Sequence, residues 1–274
     1  MKQLKMSNIE KHLNLFADGN SEFNGIKWLE PIFVAMASAY DEDTPFKLST
    51  NNEYLLNMLN LEYKDNKTYS PIEIIKTRGG LEKISDHLAS IMLQNFAYLQ
   101  PADRKDLRDY LQYLFLELMN NVADHSQADG HVMTQYYSTN KKVQFAIADR
   151  GVGFLSNLQL KYNDIYTEEE AIFKALEKGV TATPQKMYGS EKNAGYGLYA
   201  MLEILKETRG SFVIISNDTL VRYKSDNYDV KKLEKAWKGV VVAFEFDEAQ
   251  INFSMDDFNR NFLWGDIDED EDYF

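Results

Sequence analysis

Leu107, Tyr110, Leu111, Leu114, Leu118 and Val122 recur at three- and four-residue spacing and predict one long helix over residues 104–125 with a single buried face. The rest of the chain is read around that helix. Glu117, Asn121 and His125 fall at i, i+4 and i+8, so they line up on a neighbouring stripe with Asp124 beside them. A carboxylate, an amide and an imidazole in one column can hold a metal ion, a water and a phosphate in register. A partly solvated polar edge is the plainer reading, and the helix alone does not choose between the two. Buried polar groups must find partners, and a ligand is one kind of partner.

Charge and composition bound the function. The formal net charge is -13 and the pI near 4.8, which argues against a broad nucleic-acid surface, since that needs a basic footprint. Phosphate binding is a local matter of backbone N–H groups, metal and a few cations, so it stays open. The chain has no cysteine, which excludes disulfides and thiolate zinc sites. The start, Met1-Lys2-Gln3-Leu4-Lys5, has no apolar run behind it, and the longest largely apolar stretch, residues 32–40, is too short to span a bilayer. The expectation is a soluble cytoplasmic protein with no membrane contact and no direct nucleic-acid contact.

Three regions are expected: residues 1–75, residues 76–250, and an acidic tail over 251–274. In the first, residues 1–18 predict a strand and a short helix, and residues 25–29 a strand. Residues 32–40 read as a buried helix with Pro31 suited to its first turn. A short strand at 46–50 and a helix capped by Asn51 or Asn52 follow, and the polar turn at 64–67 marks the boundary. The alternation suggests a small α/β unit without catalytic features.

Residues 76–99 predict a helix interrupted or preceded by Gly79-Gly80, with His87 as a structural or surface histidine. Residues 131–137 and 142–148 alternate as two strands. The second runs into Asp149-Arg150-Gly151-Val152-Gly153. An aspartate at a strand end, followed by two glycines, lets the backbone turn sharply and approach a flat ligand, leaving the carboxylate free to accept from an exocyclic amine. An ordinary glycine turn would look the same. Thr167 and Glu170 form a capping box for a helix to about Lys178, which Gly179 stops. Residues 180–194 form a long polar loop without apolar period. Gly195-Tyr196-Gly197-Leu198 then opens a helix to about Thr208, where exposed N–H groups and the positive end of the dipole suit phosphate. Strands are predicted at 211–216, 219–223 and 240–246, with residues 231–238 as a charged insertion. The run Asp268-Glu269-Asp270-Glu271-Asp272 reads as a solvated tail.

Order and spacing make these signals more specific together than apart. Residues 100–247 resemble the gyrase, heat-shock chaperone, histidine-kinase and mismatch-repair (GHKL) ATPase superfamily. Glu117-x-x-x-Asn121-x-x-Asp124-His125 looks like its first box, Asp149-x-Gly151-x-Gly153 its second, and Gly195-Tyr196-Gly197-Leu198 its glycine-rich third. The resemblance implies an α/β fold class, an α+β two-layer sandwich. The ATP-binding part would be a Bergerat fold, a histidine-kinase-like ATPase domain, behind a smaller N-terminal STAS-like regulatory domain. It implies ATP and Mg²⁺ as cofactors. Asn121 would be the Mg²⁺ ligand, and Glu117 the catalytic residue that orients and activates a water or hydroxyl. Asp149 would bind the adenine amino group, with Gly151 and Gly153 letting the base approach. Gly195, Tyr196, Gly197 and Leu198 would wrap the phosphates, with Asp124, His125 and Thr181 near them.

The nearer resemblance is to bacterial anti-sigma-factor serine kinases. It implies a slow ATPase or serine/threonine kinase in a partner-switching system, with a STAS-like or sigma-factor-type regulator as protein partner and a homodimer as an assembly. The alternative is a nucleotide-controlled interaction module without turnover. Two departures matter. His87 is followed by Leu88-Ala89, without the context of a phosphoacceptor histidine, and Gly239-Val240 stands where the family usually has Gly-Thr, which removes one hydroxyl near the adenine.

Overall fold

The long helix forms where its spacing places it. The computed structural model describes residues 2–16, 26–43, 53, 57, 68–93, 96, 99–180 and 197–247. The strand expected at 46–50, the polar turn at 64–67, the loop from Thr181 to Ala194 and the acidic tail lie outside them, and of the helix expected after Asn51 only Glu53 and Asn57 are described, both helical.

In chain order the elements are β1 (Lys2–Leu4), two short 3-10 helices (Met6–Lys11 and Leu13–Phe16), β2 (Ile26–Leu29), α1 (Pro31–Asp43), β3 (Glu73–Ile75), α2 (Leu81–Leu93) and α3 (Pro101–His125). There follow β4 (Gly130–Tyr137), β5 (Lys142–Asp149), α4 (Gly153–Leu158), α5 (Glu168–Ala175), α6 (Gly197–Glu207), β6 (Ser211–Lys224) and β7 (Asn227–Asp247). The fold is mixed α and β. A five-stranded sheet runs in the order β3-β4-β5-β7-β6, every neighbouring pair antiparallel, and β1 and β2 make a separate parallel pair.

Local chemistry sets the helix ends. α3 starts earlier than its apolar period because Pro101 occupies the first turn, where its missing N–H is not needed, and Asp103 there suits the dipole. α2 starts only at Leu81, after Gly80 takes a φ of +85°. The capping box of α5 forms: Glu170 N donates to Thr167 Oγ1 at 3.1 Å, and the Glu170 carboxylate accepts from Thr167 N at 2.9 Å.

The charged segment 231–238 is part of β7, not an insertion. β6 and β7 form one long hairpin, bulged near Ser216–Thr219, whose tip places Ser225 and Asp226 at positive φ, as a tight hairpin turn requires. Pairing to β5 ends at Val241, so among the described strands the outer part of β7 pairs with β6 alone. Its lysines line an open strand edge, where charge discourages further pairing.

The two faces of the sheet carry different residues. One face presents large side chains, Phe145, Phe212, Phe244 and Phe246 among them, to a core shared with α2, α3 and α6. Phe115 of α3 stacks on Phe145 with centroids 4.7 Å apart. The other face presents Ala146, Ala148, Ala243 and Val213 to α1 and the 3-10 helices. α1 is buried nearly all round, and its Ala35, Ala37 and Ala39 let it lie close to those alanines. The N-terminal elements therefore share one apolar cluster with the back of the sheet. Among the described residues no helix is long and apolar enough to cross a membrane.

Candidate functional site

A cavity opens between the C-terminal half of α3, the end of β5 and the start of α6. Its empty volume is about 810 Å³, part of it open to solvent. Asn121 and His125 reach it from α3, Asp149 and Gly153 from the end of β5 and the turn after it, and Gly197 and Leu198 from α6. Residues from all three motifs therefore meet on one surface. Thr181, Gly195 and Tyr196 lie outside the described residues.

Asp149 sits at the bottom, 3% exposed, at the last residue of β5. Burial pushes its carboxyl up to about 6, held back by the Ser126 hydroxyl and by the N–H groups of Gly151 and Val240. Gly151 N donates to Asp149 Oδ1 at 2.8 Å. The turn leaves no space for side chains. A Cβ on Gly151 would fall 1.8 Å from the Ser126 carbonyl oxygen, and Gly153 has a φ of +82°. The neighbouring Gly239, at a φ of +105°, would bring a Cβ within 2.4 Å of the Asp149 carbonyl oxygen.

Glu117 lies one turn before Asn121 and is 4% exposed. Burial raises its carboxyl to about 7; Arg78 opposes the rise and Asp124 adds to it. A carboxyl poised near neutrality suits proton transfer. α6 begins directly against it: a Cβ on Gly197 would lie 2.9 Å from the Glu117 Cβ. His125 is shifted below its ordinary value, chiefly by burial, with Asp124 raising it and Arg78 lowering it.

Asp124 turns elsewhere. It takes Arg78 in a forked ion pair, with Arg78 Nε donating to Oδ1 at 2.7 Å, and it does not line the cavity. Among the described residues no group of three His, Asp or Glu side chains converges to hold an ion alone. Asn121 offers one hard oxygen, which fits a Mg²⁺ that takes its remaining oxygens from phosphate and water.

Several supporting residues carry no sequence motif. Glu168, buried at the start of α5, accepts from Ser216 Oγ and from Asn217 Nδ2, each at 2.6 Å, and from Leu155 N at 3.3 Å. Ser216 Oγ in turn accepts from Phe154 N at 3.0 Å, and Asn217 Oδ1 accepts from Gly239 N at 3.2 Å. This network pins the Gly153 turn from behind. Asn217, at a φ of +48°, is a residue type that tolerates the left-handed region. Ser216-Asn217 between two apolar runs was the only cue the sequence offered.

No protein-family model matches the chain, and no curated protein matches it.

Proposed function

We propose that the chain is a Mg²⁺-ATP-binding protein of the GHKL type, a slow ATPase or serine/threonine protein kinase built on a Bergerat-like fold with an N-terminal STAS-like region. The observation that carries this reading is the single cavity shared by Asn121, Asp149 and Gly197. Asp149 accepts from an exocyclic amine at the closed end. Gly153 and Gly197 clear the walls for a flat base and for phosphates. Asn121 would hold Mg²⁺, which when bound neutralises phosphate charge. Glu117 takes the proton from the attacking water or protein hydroxyl, and its raised pKa puts it near half-ionised at neutral pH.

Phosphate release from Mg²⁺-ATP is the test. Glu117→Ala is expected to slow release about a hundredfold, the ordinary worth of a general base, while leaving binding of a non-hydrolysable analogue in place. Equal rates in both proteins would remove catalysis. That outcome favours the second reading, a nucleotide-controlled interaction module, for which Leu160 at 85% and Tyr166 at 73% exposure offer an apolar contact between α4 and α5.

A further inference from the structure

The closed end of the cavity holds a second buried polar group that no motif assigns. Ser126, the residue after the last turn of α3, is 5% exposed and lines the cavity beside Asp149. Its backbone is fully engaged: its N–H donates to Val122 O at 3.0 Å and its carbonyl accepts from Val152 N at 3.1 Å. Its hydroxyl is not. Oγ lies near enough to steady the Asp149 charge, yet completes no hydrogen bond of good geometry. A buried hydroxyl left in that state costs free energy, and such groups in folded proteins generally mark a missing partner. Val240 and Val242 supply only methyl groups on that side, and Gly151 has no side chain.

We propose that Ser126 is a specificity-determining residue: its hydroxyl donates to the ring nitrogen next to the amine that Asp149 accepts, so that the pair reads an amino-purine edge at two points. The inference rests on the nucleotide reading above and deepens it. A carboxylate accepts only, so the ligand must present a donor there. The hydroxyl, which completes no hydrogen bond within the protein, has its one proton to give, and a ligand acceptor adjacent to that donor completes the pattern. Adenine has that edge. A 6-oxo purine turns an oxygen toward the carboxylate and an N–H toward the hydroxyl, reversing both positions.

Calorimetric titration separates the outcomes. Wild-type protein is titrated with ADP and with 1-deaza-ADP, in which carbon replaces the ring nitrogen, and Ser126→Ala with both. The wild type is expected to bind ADP about five- to tenfold more tightly than 1-deaza-ADP, the worth of one neutral hydrogen bond. Ser126→Ala is expected to bind both with the weaker affinity and to melt at the wild-type temperature without nucleotide. Equal wild-type affinity for the two ligands overturns the proposal, and needs no variant to fold. Loss of ADP affinity in Ser126→Ala with discrimination intact overturns it as well. Absence of any ADP binding to the wild type removes the nucleotide reading itself, and this proposal with it.

Discussion

The same strands build two unlike faces. On the side of α2, α3 and α6, the sheet meets helices through stacked phenylalanines, and the packing stops short around a cavity lined by the buried Asp149, with Glu117 buried one turn from the cavity-lining Asn121 and not itself part of the lining. On the side of α1, small residues bring helix and sheet together. One face carries the buried carboxyls of Glu117 and Asp149; the other is mostly apolar, its polar exceptions including the Glu30 carboxyl, also raised by burial, and the hydrogen bond between Ser38 and His131 at 2.8 Å. The difference suggests a division of labour, in which the α1 side supplies stability that the cavity side gives up.

The strongest test of that division is a truncation under α1. Phe33 is fully buried and stacks on Phe16 with centroids 6.2 Å apart. Phe33→Ala is expected to cost about 3–5 kcal/mol. Because α1 shares its cluster with Ala146, Ala148 and Ala243, the loss should appear in one cooperative denaturant transition for the whole chain. A separate early transition, leaving nucleotide binding intact, would make residues 1–75 an independent unit and break the comparison.

What the sequence disclosed follows the same line. α3, β4, β5 and the Asp149–Gly153 turn were legible because each carries its own period or its own glycines. α1 was legible as a buried helix, but nothing local in residues 31–43 says which surface buries it. β3 and α4 are too short to show a period. The outer half of β7 is hard to read because Lys231, Lys232, Glu234 and Lys235 mask a strand that pairs with β6 alone among the described strands. Within the site, Asn121, Asp149 and Gly197 were visible through spacing. Glu168, Ser216 and Asn217 were not, since their meaning arises only when distant segments meet.

The next effect is smaller and opposite in sign. Glu117 is raised from 4.5 to about 7 and Asp149 from 3.8 to about 6, both chiefly by burial. The folded protein thus holds these protons more tightly than the unfolded chain. Their contribution to stability is fully present below about pH 4 and is lost as pH rises through 6 to 7. Glu117→Gln keeps the shape and removes the titration. It is expected to be more stable than wild type by on the order of 2–3 kcal/mol above pH 7, with the advantage shrinking toward pH 4.5. Urea unfolding of both proteins at pH 5 and pH 8 reads the difference. A pH-independent gap would mean that burial of this carboxyl carries no ionisation cost.

The smallest effect lies where the two faces touch. Trp237 is buried in the cluster around α1, edge-on to Phe16 at 5.7 Å, and its Nε1 donates to the Asp149 carbonyl oxygen at 2.8 Å. Arg150, between Asp149 and Gly151, lays its guanidinium over the rings of Tyr40 and Trp237, at 4.4 Å and 5.3 Å. The back of the sheet therefore grips the turn that shapes the cavity through the backbone carbonyl of Asp149, whose residue also lines the cavity. Trp237→Phe keeps the aromatic packing and deletes the donor. It is expected to cost about 1 kcal/mol of stability and, if the division of labour holds, to change ADP affinity less than about threefold, since less than 0.7 kcal/mol of that loss would then reach the ligand. An affinity loss above tenfold with stability unchanged would reverse the assignment. The N-terminal elements would then set the position of Asp149, and the packed face would be a control surface for the cavity.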